Sequence, residues 1–385
     1  MDAAICLGLS ALFLLLAAHP FVTYPLSLRL LRRRSEPELP LGGDRPARFA
    51  ICVCAYNEEA VIERKVRNML ALRRTHRMLE ILVYVDAATD RTASLLEPFR
   101  DEITVIVSPR RLGKTHGMNL LVERASADVV VFTDANVMVG EDSLAALGEA
   151  FRDPEVGCVC GHLLYTNEAG TPTSSVGSIY WRLEEQIKRL ESEEGAAMGA
   201  DGSLFAVRRH LHRHVPPNLI DDMFLSLSVL CDGYRVVRAE KAVAYEESVT
   251  ASSEEFRRKI RIACQAFNVH RRLWPSLRRL PPRVVYMYVS HKLLRWLAIY
   301  NLMLAAVLGA AGLLLLGVPV PVVLLAGALG GVVLWAGHVR HVPPLAQIGE
   351  ILVALLGAGI GVAESVRGKQ YQTWTPAASI RQLQD

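Results

Sequence analysis

The stretch FAICVCAYNEEAVIERKVRNMLAL, residues 49–72, decides how the chain folds. Its first seven residues are apolar and stop at Tyr56-Asn57-Glu58-Glu59, after which Val61, Val66, Met69, Leu70 and Leu72 recur at roughly helical spacing. The reading is strand, polar turn, helix. The alternation continues downstream: residues 80–85 form an apolar run closed by Asp86, residues 103–107 a second, and residues 129–133 a third closed by Asp134. A β-α-β-α-β succession predicts an α/β fold with a mostly parallel sheet and helices on its faces. Ligands bind such sheets beyond the carboxyl ends of the strands. Three polar clusters stand at those ends: Tyr56 to Glu58, Asp86 to Thr92, and Asp134 to Asn136. One acid there is ordinary turn chemistry. Three clusters on one edge mark a site.

On either side of this charge-bearing sequence the chain turns apolar, and mean hydropathy over its 385 residues is +0.24. Residues 3–28 form one apolar run interrupted by His19, Pro20 and Pro25, with Arg32-Arg33-Arg34 just beyond it. Positive charge after the run favours an uncleaved anchor with its carboxyl end in the cytoplasm over a cleaved signal peptide. Residues 293–316 and 319–337 are further candidate spans, and residues 345–363, interrupted by Gln347, Glu350 and several glycines, are a weaker third. Three spans after a cytoplasmic domain put the tail outside, whereas Arg367, Lys369 and Arg381 favour the inside. Either the last segment is re-entrant or interfacial, or the tail charges do not decide. The organisation expected is a transmembrane anchor (1–28), a basic linker (29–48), a cytoplasmic α/β domain (49–280), a membrane region (281–366) and a polar tail (367–385). Such a chain is a multi-pass protein of the inner (plasma) membrane.

The net charge of +4 is mild. Arg29, Arg32, Arg33, Arg34, Arg271, Arg272, Arg278, Arg279 and Arg283 cluster where apolar and polar parts meet, without interleaved aromatics. That placement suits anionic membrane lipids and speaks against nucleic acid as a partner. Of seven cysteines, Cys52 with Cys54 and Cys158 with Cys160 alternate in apolar runs, each pair on one strand face. Buried, reduced thiols are expected there rather than a metal or redox site.

Asp134-Ala135-Asn136 offers a carboxylate and an amide oxygen on one side of a strand end, suited to a hard divalent cation, although an Asx turn accounts for the pair equally well. Gly199-Ala200-Asp201-Gly202-Ser203 reads as a glycine-rich loop whose backbone a ligand can approach closely, followed by a strand at 204–207. Asp201 is either a ligand contact or a turn acid. In residues 178–190, Ile179, Leu183, Ile187 and Leu190 recur at helical spacing beside Trp181, Arg182, Lys188 and Arg189. This is an amphipathic helix for a membrane interface or an ordinary core-facing one. His291-Lys292 reads as membrane-interface sequence.

Taken in order, Cys54-Ala55-Tyr56-Asn57-Glu58-Glu59, Asp86 with Asp90-Arg91-Thr92, Gly113-Lys114 with Gly117-Met118-Asn119, Asp134-Ala135-Asn136, Gly199-Ala200-Asp201-Gly202 and Asp221-Asp222 resemble the motifs of family 2 glycosyltransferases. The sequence is most similar to membrane-bound bacterial enzymes of exopolysaccharide and glycolipid synthesis, distant relatives of cellulose and hyaluronan synthases. The resemblance covers nearly the whole chain, including the tail Gly368-Lys369-Gln370-Tyr371-Gln372-Thr373-Trp374.

The resemblance implies a Rossmann-like GT-A fold and an inverting transfer from a UDP-sugar to a lipid-linked or polysaccharide acceptor. It implies that Tyr56, Glu58 and Asp86 hold uracil and ribose, with Lys114 near the base or diphosphate. Asp134 and Asn136 stand where the family has Asp-x-Asp and would bind the diphosphate through Mg2+ or Mn2+. Asp222 occupies the base position of a Thr-Glu-Asp motif, with Asp221 and Ile220 replacing its Glu and Thr; the same acids also suit a helix start. Asp201 and Gly202 fall on the donor-sugar side. Arg258 and Arg261 match the spacing of a Gln-x-x-Arg-Trp acceptor motif, but Ile262 replaces its Trp. A lipid-headgroup-binding helix face is the other reading of that basic run. Loss of the stacking platform favours addition of one or a few sugars over a processive synthase that extrudes its product. A decayed nucleotide-binding scaffold is the remaining alternative, and polysaccharide-export partners are left open.

Overall fold

The computed structural model describes residues 2–31, 48–166, 172–247 and 252–372. The chain opens with helices α1 (Ala3–Ala18) and α2 (Thr23–Leu31). The domain then runs β1 (Phe49–Ala55), α3 (Ile62–Leu72), β2 (Glu80–Asp86), α4 (Thr92–Leu96), β3 (Thr104–Ser108), α5 (Lys114–Arg124), β4 (Val129–Thr133), β5 (Met138–Val139), α6 (Ser143–Ala150) and β6 (Val156–Tyr165). It continues with α7 (Pro172–Glu193), β7 (Leu204–Arg208), α8 (Asp221–Cys231), β8 (Arg235–Glu246) and α9 (Ser252–Leu277). Last come α10 (Pro282–Tyr288), a π-helical turn at Val289–Leu293, α11 (Leu294–Trp296), α12 (Ala298–Leu315), α13 (Val320–Val339) and α14 (Leu345–Val366).

The eight strands form one sheet in the order β3-β2-β1-β4-β7-β6-β8-β5. Strands β1 to β4 are mutually parallel, as the alternating pattern predicts. The second half is mixed: β7 runs antiparallel to both β4 and β6, β6 is parallel to β8, and β5 is antiparallel to β8. The third strand also sits one residue later than expected. Strand β1 reads as an unbroken apolar run because both of its faces are covered. Ala50, Cys52 and Cys54 enter one core cluster, and Phe49, Ile51, Val53 and Ala55 the other. Cys158 and Cys160 join the first cluster, and all seven cysteines are free thiols. Burial pushes the thiols of Cys52 and Cys54 well up, so they are packing groups.

The apolar run at 3–28 is not one helix. It breaks at His19–Pro20, and the two pieces meet at 67°. The backbone bonds that Pro20 cannot supply end α1 there. Helices α12, α13 and α14 are each long and apolar enough to cross a membrane. The glycines that weaken the sequence signal of α14 have packing roles. A Cβ on Gly361 would lie 2.5 Å from the Ile260 carbonyl oxygen of α9, and one on Gly359 2.4 Å from Ile299 of α12. Helix α1 meets α12 through small residues too: Ser10 Oγ donates to the Ala305 carbonyl at 2.8 Å, and Gly312 lies under Leu7. The linker arginines Arg32, Arg33 and Arg34, the tail from Thr373 on, and the side chains of Ile179, Trp181 and Arg182 lie outside the described residues.

Candidate active site

The turns after β1 and β2 are locked together by their own motif residues. The Thr89 amide donates to Asn57 Oδ1 (2.8 Å), the Glu59 amide to Asp90 Oδ2 (3.1 Å), the Arg91 amide to Glu59 Oε2 (3.1 Å), and the Glu58 amide to Thr92 Oγ1 (2.8 Å). Asn57 and Ala87 take left-handed backbone angles (φ 53° each), which Asn tolerates and Ala pays for in strain. The lock fixes Tyr56, whose ring carries the Arg111 guanidinium 3.7 Å above its centroid, and buries Glu58. Asp86 is fully buried. Its carboxylate accepts from the Leu112 amide (2.7 Å), the Gly113 amide (3.0 Å) and the Tyr84 hydroxyl (3.2 Å). In this structure, then, Asp86 anchors the loop leading into α5 rather than projecting from the site.

Lys114, the first residue of α5, is where the strand ends meet. Its Nζ lies 2.8 Å from Asp134 Oδ1 and 3.3 Å from Asp221 Oδ2. Burial alone lowers such an ammonium, but Asp134 and then Asp221 outweigh it and hold it charged. Asp221 and Asp222 open α8, and Asp222 Oδ1 accepts the Met223 amide. Asp222 Oδ2 lies 3.1 Å from where a Cβ on Gly202 would be, so a larger residue there would press on that oxygen and shift it by a few tenths of an ångström. Burial, then Asp221, raise the Asp222 carboxyl to about 7, against the pull of Lys114. The helix-start reading and the base reading of this pair are geometrically compatible. The Gly199-to-Gly202 loop is tied to α8 through Ser226 Oγ, which receives the Ala200 amide (3.1 Å) and donates to the Asp222 carbonyl (2.7 Å).

At the Asp134-Ala135-Asn136 turn, Asn136 Nδ2 donates to Glu246 Oε1 at 3.0 Å, leaving the amide oxygen for another partner. Burial, followed by Asp134, raises Glu246. Asp134 and Asn136 Oδ1 on the turn and Glu246 at the end of β8 are therefore neighbouring hard oxygen donors, a set that fits a divalent cation also held by phosphate oxygens. Among the described residues no three His, Cys, Asp or Glu side chains converge as a ready-made metal centre. Below the turn lies Lys65 of α3, fully buried, donating to Thr133 Oγ1 (3.1 Å) and the Val137 carbonyl (2.5 Å). Burial pushes its ammonium down to about 7. A groove of about 460 Å3 lined by Arg64, Arg67, Asn136, Tyr245 and Glu246 touches the site only at this turn.

Asp201, partly exposed, is paired with the buried Lys188 of α7, whose Nζ lies 2.8 and 2.6 Å from its two oxygens. From Leu183 onward α7 is core-facing, with Ile187 and Leu190 buried. His291 is not a membrane-interface residue: it is fully buried, 2.7 Å from Glu191 and 3.1 Å from Glu184. Tyr24 of α2 donates to the same Glu191 (2.6 Å), so a polar junction joins α2, α7 and the π-helical turn. Arg261 donates to Gln265 Oε1, and it senses Asp221 and Asp134 electrostatically beyond burial and Arg258, placing its helix beside the cluster. The segment after α14 also returns here. Gln265 Nε2 donates to the Tyr371 carbonyl (3.0 Å), and the Gln372 carbonyl oxygen lies 2.6 Å from a Cβ built on Gly113. Lys65 was readable as a lysine on the apolar face of a helix, three residues after Ile62, four before Met69 and seven before Leu72. Glu246, Gln372 and the Glu184-His291-Glu191 junction carry no local signal, because distant elements assemble them.

Residues 50–215 match the family model described as glycosyl transferase family 2. The poly-beta-1,6-N-acetyl-D-glucosamine synthase of Staphylococcus aureus (strain COL) is 29% identical over 196 residues, covering 48% of this chain and 46% of that one. An N-acetylglucosaminyltransferase of Rhizobium meliloti (strain 1021) is 26% identical over 226 residues, covering 54% and 53%. The chain thus spans about half the length of the curated relatives it matches. Among solved structures, a mannosyltransferase from Pyrobaculum calidifontis in complex with GDP-Man and Mn2+ superposes with a TM-score of 0.70 at 20% identity, over 95% of this chain and all of that one. That likeness establishes the shared GT-A fold.

Proposed function

Because residues 50–215 match the glycosyl transferase family 2 model, we propose that the chain is a membrane-held inverting glycosyltransferase taking its sugar from a UDP-sugar at the cytoplasmic face of the plasma membrane. The observation that carries the reading is the meeting of Asp134, Lys114, Asp221 and Asp222 across the ends of β4, α5 and α8. Tyr56 and Glu58, fixed by the locked turns, receive the nucleoside, and Asp86 holds the loop that closes over it. The Lys114 ammonium and the first turn of α5 face the diphosphate, a helix start being suited to anions. Asp134, Asn136 and Glu246 would hold Mg2+ or Mn2+, which when bound supplies positive charge to the departing diphosphate. Asp222 takes the proton from the acceptor hydroxyl as that oxygen attacks the sugar carbon and the bond to the diphosphate breaks. Arg258 and Arg261 stand on the acceptor side, and Lys188 holds Asp201 and Gly202 against the sugar.

The acceptor is lipid-linked or glycan, in contact with membrane lipids through α12 and its neighbours. The two curated relatives make N-acetylglucosamine the first sugar to test. With Ile262 where a stacking Trp would stand, one or a few sugars are added rather than a long extruded chain. Detergent-purified protein is expected to release UDP from one member of a UDP-sugar panel, only with Mg2+ or Mn2+. Release by the Asp134→Ala variant at the wild-type rate would falsify the assignment of that turn. Product mass separates single addition from processive synthesis.

A further inference from the structure

Lys65 is the one fully buried lysine among the described residues, and it ranks among the largest side chains with no exposure. Among the described residues its hydrogen-bond partners are two neutral oxygens, Thr133 Oγ1 and the Val137 carbonyl, and no carboxylate comes within ion-pair distance, Asp134 acting on it only from beyond that range. Burying an ammonium without an ion-pair partner costs several kcal/mol. A neutral side chain, or an apolar one of equal length, would fill the same volume under the sheet at less cost. The two oxygens stand one residue before and one residue after Asp134-Ala135-Asn136. The turn is closed only loosely by itself, the Val137 amide reaching the Asp134 carbonyl at 3.3 Å.

We propose that Lys65 is a positioning residue for the cation and diphosphate site: it clamps both ends of the Asp134-Ala135-Asn136 turn from beneath and sets the direction in which the Asp134 and Asn136 oxygens face. The inference rests on the reading of that turn as the cation site. Lys114 and Glu246 engage Asp134 and Asn136 from the open side, and both must exchange partners when a metal-bound diphosphate enters. The clamp from α3 has no such exchange to make. It keeps the turn in place while its upper contacts are remade. Such an arrangement trades fold stability for site geometry.

The test uses the full chain in detergent, with Lys65→Met and Lys65→Gln. Free Mn2+ is followed by electron paramagnetic resonance in the presence of UDP, alongside thermal unfolding and the separate kcat and KM of sugar transfer. Lys65→Met is expected to unfold at or above the wild-type temperature while binding Mn2+ with UDP at least tenfold more weakly. Donor KM rises with it, and Lys65→Gln, which keeps a donor, recovers part of the loss. Folded variants that bind Mn2+ within twofold of wild type overturn the proposal. So does failure of both variants to fold, which would make the lysine a support of the core. If wild type itself binds no Mn2+ with UDP, the cation-site reading falls and the clamp falls with it, whereas unchanged variants beside a binding wild type sink the clamp alone.

Discussion

Asp222 has to be ionised to accept a proton, yet burial and Asp221 keep its carboxyl protonated up to about pH 7. We therefore predict that kcat/KM drops about tenfold per pH unit below that value and levels off above it. Asp222→Asn should lose roughly 10²- to 10⁴-fold in kcat while UDP affinity stays near wild type. The same shift has a stability sign. Between the ordinary carboxylate value and about 7 the folded protein holds a proton that the unfolded chain has released, so this group's contribution falls as pH rises through that window. Thermal unfolding from pH 5 to 8 should show a shallower decline in Asp222→Asn than in wild type. At this scale the position of a side chain in an ordered motif was readable, Asp134 just past a strand and Asp222 at a helix start. The role was not readable where it depends on what fills the carboxylate: Asp86 stands where expected, but its oxygens are taken by the amides of Leu112 and Gly113.

The elements that carry these residues are placed by close approaches of backbone. Helix α5 lies so near β2 that a Cβ on Gly117 would fall 2.2 Å from the Tyr84 ring, which is itself buried and bonded to Asp86. We predict that Gly117→Ala destabilises the domain by about 1–3 kcal/mol, through overpacking that neither element can relieve, and weakens UDP binding because Lys114 moves with α5. A lowered unfolding temperature together with a raised donor KM is the expected result; an unchanged pair counts against the close packing. Strands β1 to β4 could be read from sequence because a strand covered on both faces is apolar throughout. The antiparallel insertion of β7 between β4 and β6 could not, since nothing in the run 204–208 states its neighbours. The break between α1 and α2 was written in His19-Pro20 but concealed by the apolar residues around it.

Across the whole molecule, the membrane region begins and ends on the catalytic domain. Before α12, His291 is buried against Glu184 and Glu191 of α7; after α14, Lys369 and Tyr371 accept from Asn268 and Gln265 of α9, and Gln372 touches Gly113. If that region spans a bilayer, two ends on one face require an even number of crossings, and we predict that one of its three apolar helices does not cross. We predict that α14 is that helix, because it is the most buried of the three, carries Glu350 and Glu364, and lays Gly357 and Gly361 along α9. Of the alternatives that the tail charges left open, this prediction takes the interfacial one. The connections agree with it: Gly317-Val318 between α12 and α13 is uncharged, whereas Arg340-His341 between α13 and α14 is basic, as a cytoplasmic loop should be. We predict that, in a Cys231→Ser background, Val318→Cys reacts with a membrane-impermeant maleimide in intact cells. His341→Cys should react only after permeabilisation. Labelling of both from outside would instead make α13 the helix that does not cross and α14 the span that returns the chain to the cytoplasmic side.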